Sequence, residues 1–196
     1  MPRSARRFGS DALSRPHSQF QPDNRPCSAC TLPCARLGPL EANRSNLRRR
    51  VGTVFQDFRL LPDKTAYENI AFAMEAAGRT EEEIASDVPH VLELVDLKEK
   101  FSRFPHELSG GEKQRVAIAR AIVNQPDVII ADEPTGNLDP INTYEIVQIL
   151  KKINDLGTTV ILTTHNKGVI DSLGKRVITM ENGRIVRDDK KGKYIL

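Results

Sequence analysis

The fold is decided by the stretch from Leu108 to Asp139, which reads LSGGEKQRVAIARAIVNQPDVIIADEPTGNLD. A glycine pair follows Ser109 at the start of a helical pattern, so backbone N–H groups and the positive end of the helix dipole can face an anion. The apolar run 128–131 then leads directly into Asp132 and Glu133. Phosphate-binding amides followed by strand-end carboxylates indicate a domain that binds a nucleoside triphosphate and its metal ion.

Strand and helix patterns alternate on both sides of this stretch. Residues 51–55 predict a short strand ending at Gln56, and residues 159–164 predict another strand after a helix over 141–156. The run 128–131 has the continuous apolar character of a parallel strand that is buried on both faces. We therefore predict an α/β fold with a mostly parallel sheet and right-handed crossovers.

The remaining patterns add a helical subdomain and a hairpin. Residues 65–107 read as all helical, with capping-box spacing at Thr65 and Thr80 and with Pro89 interrupting or restarting the second helix. A third capping box begins at Ser109. Asn182-Gly183 predicts a two-residue hairpin turn near the C-terminus.

Charge and composition separate the first 50 residues from the rest. Residues 1–50 hold ten Arg, no Lys and three acidic residues, hence +7; residues 51–196 hold 19 basic and 23 acidic residues, hence −4. The acidic body argues against a nucleic-acid face. Residues 1–46 contain six of the twelve prolines and no helical or strand period, so we predict a disordered or aberrant segment before a domain over 47–196.

No apolar stretch is long enough for a membrane span, and the basic start lacks the apolar segment of a secretory signal. An organellar transit peptide is the alternative interpretation of this Arg- and Ser-rich start. The three cysteines, Cys27, Cys30 and Cys34, have spacing that suits zinc or an iron–sulfur cluster, but a fourth ligand is not evident.

Candidate site residues follow the predicted strands. Asp132 can hold Mg²⁺, Glu133 can orient or deprotonate water, and His165 and Gln56 end neighbouring strands on the same edge. Each residue also has a structural interpretation: an acidic turn, a structural histidine or a surface glutamine. Ser109-Gly110-Gly111 has one as well, a glycine-rich turn before a helix.

Taken together, these residues resemble the nucleotide-binding domain of ATP-binding cassette (ABC) proteins. The stretch 108–112 is similar to that family's signature motif, 128–133 to its Walker B strand, and 136–139 to its D-loop. The resemblance implies hydrolysis of ATP with Mg²⁺. It implies metal binding by Asp132 and Gln56, and catalysis by Glu133 with His165. The implied nucleotide-binding residues are Gln56, Ser109, Gly110, Gly111 and Asp139.

Three further stretches, 55–61, 67–69 and 181–188, resemble the bacterial cell-division ATPases of this family. That resemblance implies a peripheral protein on the cytoplasmic face of the inner membrane, docked on an FtsX-like integral membrane subunit through residues 57–63 and the helical subdomain. It also implies a dimer, either of this chain or with an intact ATPase subunit. The alternatives are a non-hydrolysing regulatory or structural subunit, and a lipoprotein-releasing or macrolide-exporter ATPase.

The family's phosphate loop, G-x-x-x-x-G-K-[ST], does not occur in the sequence. Its strand and helix would lie in the middle of the sheet, so we expect the sheet to be incomplete at the N-terminal side and apolar strand residues to lack cover. Three explanations are open: a mistranslated or frameshifted start, a degenerate paralogue, or a subunit that lends its signature to an intact partner.

Overall fold

The computed structural model describes residues 47, 50–190 and 192. The chain divides between Arg49 and Arg50, and the description below concerns the unit that begins at Arg50. The predictions for residues 1–46, including the three cysteines, lie outside the described residues.

A three-stranded parallel sheet forms the centre of this unit, in the order β1-β2-β3. The strands are β1 (Val51–Val54), β2 (Val128–Asp132) and β3 (Thr159–Thr163), and Gly52, Ile129 and Val160 lie side by side across them. The helices are α1 (Ala66–Ala76), α2 (Glu81–Leu94), α3 (Gly110–Ile122), α4 (Pro140–Asp155) and α5 (Lys167–Leu173). Two 3₁₀ turns, Lys98–Lys100 and Pro105–Glu107, precede α3. The predicted parallel α/β architecture is confirmed.

Side-chain caps fix where the helices begin. Thr65, Thr80 and Ser109 each form the predicted reciprocal capping box with the glutamate three residues later. Each box satisfies two backbone N–H groups that the first turn would otherwise leave unpaired. The start of α3, which carries the glycine pair, is therefore set by local chemistry.

The core lies on one face of the sheet. Ile129 and Ala131 are fully buried, and α3 packs on β1 while α4 packs on β3. On the other face Ile130 is 36% and Ile161 is 50% exposed. The prediction that β2 is buried on both faces is wrong for the described residues, because both helices that contact the sheet here pack on one side of it. Within the described part of the chain, the exposure of Ile130 and Ile161 agrees with the expectation that apolar strand residues lack cover.

Pro89 does not interrupt the second helix, contrary to the sequence-based prediction. Helix α2 continues through it from Glu81 to Leu94. Proline lacks the amide hydrogen that would bond the carbonyl one turn earlier. Here its ring is exposed, while a buried apolar stripe holds the helix against its neighbours; the stripe consists of Ile84, Val88, Val91 and Leu92. Packing along that stripe outweighs one missing hydrogen bond.

The C-terminal hairpin pairs β4 (Val177–Glu181) with β5 (Arg184–Asp189) in antiparallel register. Asn182 and Gly183 both have positive φ, 48° and 75°, as the predicted two-residue turn requires. Among the described residues, no helix is long and apolar enough to cross a membrane.

Candidate active site

The carboxyl ends of the three parallel strands bring the predicted site residues to one edge. Gln56 follows β1, Asp132 ends β2 and is followed by Glu133, and His165 follows β3. The parallel pairing of β2 with β3, with Asp132 beside Thr163, places these ends next to each other. This is the edge where open parallel sheets bind their ligands.

Thr163 fixes the Asp132 carboxylate. Its hydroxyl Oγ1 donates to Oδ1 of Asp132 at 2.7 Å, and the same oxygen accepts from the Glu133 amide at 3.2 Å. The hydroxyl thus contacts both acidic residues across the gap between two strands. Sequence reasoning missed Thr163, although a hydroxyl residue two positions before the strand-end histidine is a signal that could have found it.

Glu133 and His165 form a close pair. Nδ1 of His165 lies 2.7 Å from Oε1 of Glu133. A carboxylate only accepts hydrogen bonds, so an ionised Glu133 requires the proton on Nδ1. The histidine side chain is 82% exposed, whereas that of Glu133 is only 25% exposed. The pair presents an imidazole to solvent and keeps the carboxylate half-shielded behind it.

The backbone at Glu133 is unusual. Its φ is 45°, in the left-handed region that few non-glycine residues adopt, and its amide donates to the Thr163 carbonyl at 3.1 Å. Such strain persists only where surrounding contacts hold it and clusters at functional sites. Here the β3 backbone and the Thr163 hydroxyl hold it.

Gln56 lies against the turn that follows Glu133. The Gly136 amide donates to the Glu133 carbonyl at 3.0 Å, which closes this turn. A Cβ added at Gly136 would come within 2.9 Å of Nε2 of Gln56, so the glycine makes room for the amide side chain. Gln56 therefore belongs to the same edge as the two acidic residues.

The signature residues start α3. Oγ of Ser109 accepts from the Glu112 amide at 3.3 Å, and Oε2 of Glu112 accepts from the Ser109 amide at 2.8 Å. This backbone hydrogen bond from Ser109 is the main cause that lowers the pKa of Glu112. A negative charge is thereby held at the helix N-terminus, where the helix dipole favours it.

The two glycines of the signature differ in environment. Gly110 is exposed, whereas Gly111 is buried against α4, where an added Cβ would lie 1.9 Å from Oδ1 of Asn142. Gly111 therefore serves close helix packing. Gly110 and Ser109 remain accessible to a ligand. Among the described residues, no hydrogen bond joins Ser109 or Gly110 to the strand-end carboxylates.

Asp139 caps α4. Its Oδ1 accepts from the amides of Ile141 and Asn142, each at 2.9 Å. The hydrogen bond from the Asn142 amide is the largest cause that lowers the pKa of Asp139. The structure thus gives this residue a structural task, and its contact with a nucleotide stays a prediction.

No cluster of three or more His, Cys, Asp and Glu side chains able to hold a metal ion occurs in the described part of the chain. A single carboxylate nevertheless suits Mg²⁺, which is commonly held by one or two carboxylates together with water and substrate phosphates. Asp132 fits this demand, because Thr163 engages one carboxylate oxygen and no described residue binds the other.

These features define an α/β nucleotide-binding domain with its ligand edge at the ends of parallel strands. The chain belongs to the ABC transporter family, whose family model matches residues 30–136. It is 60% identical over 148 residues to the cell division ATP-binding protein FtsE of Streptococcus pneumoniae and 54% identical to FtsE of Mycobacterium tuberculosis. These alignments cover 76% of this chain and 64% of each FtsE, so the chain spans less than two thirds of these relatives.

Similarity extends to other members of the family. The methionine import ATP-binding protein MetN 1 of Pectobacterium atrosepticum is 47% identical over 142 residues, which are 72% of this chain and 42% of that protein. A solved structure, the ATP-binding cassette MJ0796 as a dimer in a post-hydrolysis state with ADP and Pi, matches with a TM-score of 0.68 and 37% identity. That match covers 79% of this chain and 68% of the other.

Proposed function

We propose that this chain is the ATP-binding subunit of an FtsEX-like complex that acts in bacterial cell division. The similarity to FtsE proteins supports this choice within the ABC transporter family. In this proposal the chain works at the cytoplasmic face of the inner membrane, pairs with a second ATPase subunit, and docks on an FtsX-like integral membrane subunit.

The observation that carries the proposed ATP hydrolysis is the contact between Glu133 and His165. A half-shielded carboxylate bonded to a solvent-facing imidazole can accept a proton from water while the imidazole orients a phosphate oxygen. In this proposal Glu133 is the general base, and His165 and Gln56 contact the γ-phosphate.

Asp132 is the proposed ligand of Mg²⁺, with Gln56 as a second ligand. When bound, Mg²⁺ neutralises phosphate charge and orients the triphosphate. The hydrogen bond from Thr163 to Oδ1 fixes the direction of the Asp132 carboxylate and leaves its other oxygen for the metal ion.

The signature residues have a separate role. In the family, each site pairs the phosphate loop of one subunit with the signature of the other. Ser109 and Gly110 lie at the start of a long helix, and both are exposed. Exposure is what contact with a nucleotide on another subunit requires. We therefore assign Ser109 and Gly110 to the nucleotide held by the neighbouring subunit, whereas the buried Gly111 lets α3 pack closely on α4.

A second candidate function is favoured by one observation: no G-x-x-x-x-G-K-[ST] string occurs in the sequence. In this version the chain pairs with an intact ATPase subunit and lends only its signature. The third candidate function is that of a non-hydrolysing regulatory subunit, which uses neither its own strand-end residues nor its signature for ATP hydrolysis. The lipoprotein-releasing and macrolide-exporter assignments differ from FtsE in the membrane partner rather than in this chemistry.

One assay separates these functions. ATP turnover is measured for the purified chain with Mg²⁺, alone and mixed with an intact FtsE subunit, and for the variants Glu133→Gln and Ser109→Arg. If the chain itself hydrolyses ATP, it shows turnover alone and both variants lose it. The turnover rate of Glu133→Gln, which lacks the catalytic base, should fall about 100-fold or more. Glu82→Gln, an exposed carboxylate on α2, is the control.

The other outcomes are equally distinct. If the chain lends only its signature, turnover above that of the intact subunit appears in the mixture, and Ser109→Arg removes it while Glu133→Gln does not. A regulatory subunit responds to neither variant. Turnover by the chain alone that survives Glu133→Gln would contradict the proposed catalysis.

Membrane docking has its own test. Substitution of the exposed residues Asp57, Pro62 and Asp63 should remove co-purification with the FtsX-like subunit, whereas Lys151→Ala on α4 should not. Binding that survives the triple change would overturn the proposed docking through residues 57–63.

A further inference from the structure

The loop that follows β1, here called the strand-exit loop, comprises residues 55–61. Phe58 and Arg59 are consecutive residues with positive φ, 60° and 48°. Non-glycine residues rarely adopt this left-handed region, because their Cβ crowds the backbone there, so surrounding contacts must hold them in it. Two backbone hydrogen bonds lie within the loop. The Arg59 amide donates to the Asp57 carbonyl at 2.6 Å, and the Phe58 amide donates to the Phe55 carbonyl at the longer distance of 3.4 Å.

An arginine on helix α3 donates two hydrogen bonds to this loop. Nη1 of Arg120 donates to the carbonyl of Arg59 at 2.6 Å, and Nη2 donates to the carbonyl of Phe58 at 3.0 Å. Both left-handed residues therefore offer their carbonyls to one guanidinium. Charge-assisted bonds of this kind are stronger than those between neutral groups.

The hydrogen bonds of Arg120 offset the free-energy cost of partly burying its charge. Burial lowers the pKa of its guanidinium, and its hydrogen-bond partners among the described residues are the two carbonyls of the loop. A partly buried cation whose partners are carbonyls only is expensive unless its bonds are well made. Arg59, by contrast, is exposed and stacks over the Phe55 ring at 4.0 Å.

We propose that Arg120 is a positioning residue that holds Phe58 and Arg59 in the left-handed conformation and so fixes the course of the strand-exit loop. Arg120 lies near the end of α3, the helix whose first residues follow Ser109. The loop that carries Gln56 is thereby tied to the helix that carries the signature. This inference rests on the proposed function only for what the loop does, not for how it is held.

The test compares Arg120→Met, Arg120→Lys and the wild-type chain by amide hydrogen exchange. Arg120→Met removes both charge-assisted hydrogen bonds to the loop carbonyls. The hydrogen-exchange rate of the Arg59 amide should therefore rise about tenfold or more. Lysine keeps the charge but not the two-pronged geometry, so exchange should be intermediate. Arg79→Met, which breaks an exposed pair with Glu83, is the matched control and should leave the loop unchanged.

Two readouts separate positioning from general destabilisation. The Leu61 amide is held by Oδ1 of Asn69 at 2.8 Å, so its exchange should stay near the wild-type rate in Arg120→Met. Glycine adopts positive φ without strain, so Arg59→Gly added to Arg120→Met should restore part of the lost protection. A uniform loss of protection, or no recovery with glycine, would overturn the proposal.

The consequence for docking is tested with the same variants. Co-purification with the FtsX-like subunit should fall in Arg120→Met and recover in the double variant. If the wild-type chain does not bind that subunit, the proposed function fails, while the exchange data still decide the role of Arg120. A folded Arg120→Met variant with unchanged exchange at Arg59 would refute the positioning role directly.

Discussion

The two faces of the central sheet carry similar residues but have different surroundings. Ile129 and Ile130 are neighbours in β2, yet the first is fully buried and the second is 36% exposed. On the covered face Val160 packs against the core, whereas Ile161, next to it in β3, is half exposed. Thr53, Ile130 and Ile161 lie side by side on the uncovered face.

The difference shows that composition alone does not make a core. Both faces of β2 are apolar in sequence, and only the face beneath α3 and α4 is removed from water in the described part of the chain. The uncovered face nevertheless ends in an ordered site, because Asp132 and Thr163 lie on it and bond each other. Hydrogen bonds at the strand ends hold the site where packing does not.

The largest expected effect comes from the matched pair in β2. Ile129→Ala should lower the free energy of unfolding by about 3–4 kcal/mol, since it removes a fully buried side chain and leaves a cavity. Ile130→Ala should cost about 1 kcal/mol or less, because water already reaches that side chain. Urea unfolding of both variants measures the difference. Equal losses would contradict the assignment of covered and uncovered faces.

Gly52 and Thr53 form a second pair on the two faces. A Cβ at Gly52 would meet the backbone oxygen of Ala121 at 2.5 Å, so Gly52→Ala must push α3 away from β1. Overpacking of this kind costs about 1–3 kcal/mol. Thr53→Ala, on the exposed face, should change the unfolding free energy by about 0.5 kcal/mol or less. Thermal unfolding distinguishes the two, and a neutral Gly52→Ala would show that the helix lies farther from the sheet.

Polar substitution on the uncovered face should change association more than stability. The double variant Ile130→Thr, Ile161→Thr keeps β-branched side chains, which suit strands, and removes exposed apolar area. We expect less binding of a hydrophobic dye and less self-association in sedimentation, with a melting temperature close to that of the parent. Unchanged dye binding would mean that this face is already covered in solution.

The smallest effect concerns the cap of α3, the helix on the covered face. The pKa of Glu112 is lowered, chiefly by the backbone hydrogen bond from Ser109. Its contribution to stability is therefore complete above its unfolded pKa, about 4.3, and is lost as pH falls through the lower folded value. Glu112→Gln should cost about 0.5–1 kcal/mol at pH 7 and should flatten the acid side of the stability curve. An acid profile identical to that of the parent would contradict this role.

Local chemistry made much of the fold predictable from the sequence. The three capping boxes, the strand that ends at Asp132 and the turn at Asn182-Gly183 depend on residues within a few positions of one another. The shared edge of Gln56, Glu133 and His165 followed from a topological rule, since parallel strands bring their carboxyl ends together.

What the sequence could not show depends on distant contacts. Helix α2 passes through Pro89 because of packing along a buried stripe, and β2 is half covered because of where the helices lie. The bonds from Arg120 to the strand-exit loop join residues about 60 positions apart, and Thr163 bonds Asp132 across two strands. No periodicity or spacing in one sequence reports such pairings.

We propose that the three strand ends form one nucleotide-facing edge around Glu133 and His165. Amide chemical shifts of the purified chain, followed while Mg-ATP is added, test it most directly. We expect the largest changes at Gln56, Glu133 and His165, whereas a cleft on α4 that is lined by Tyr144 and Lys152 should be unaffected. Shifts confined to that cleft, or none at the three strand ends at millimolar nucleotide, would contradict it.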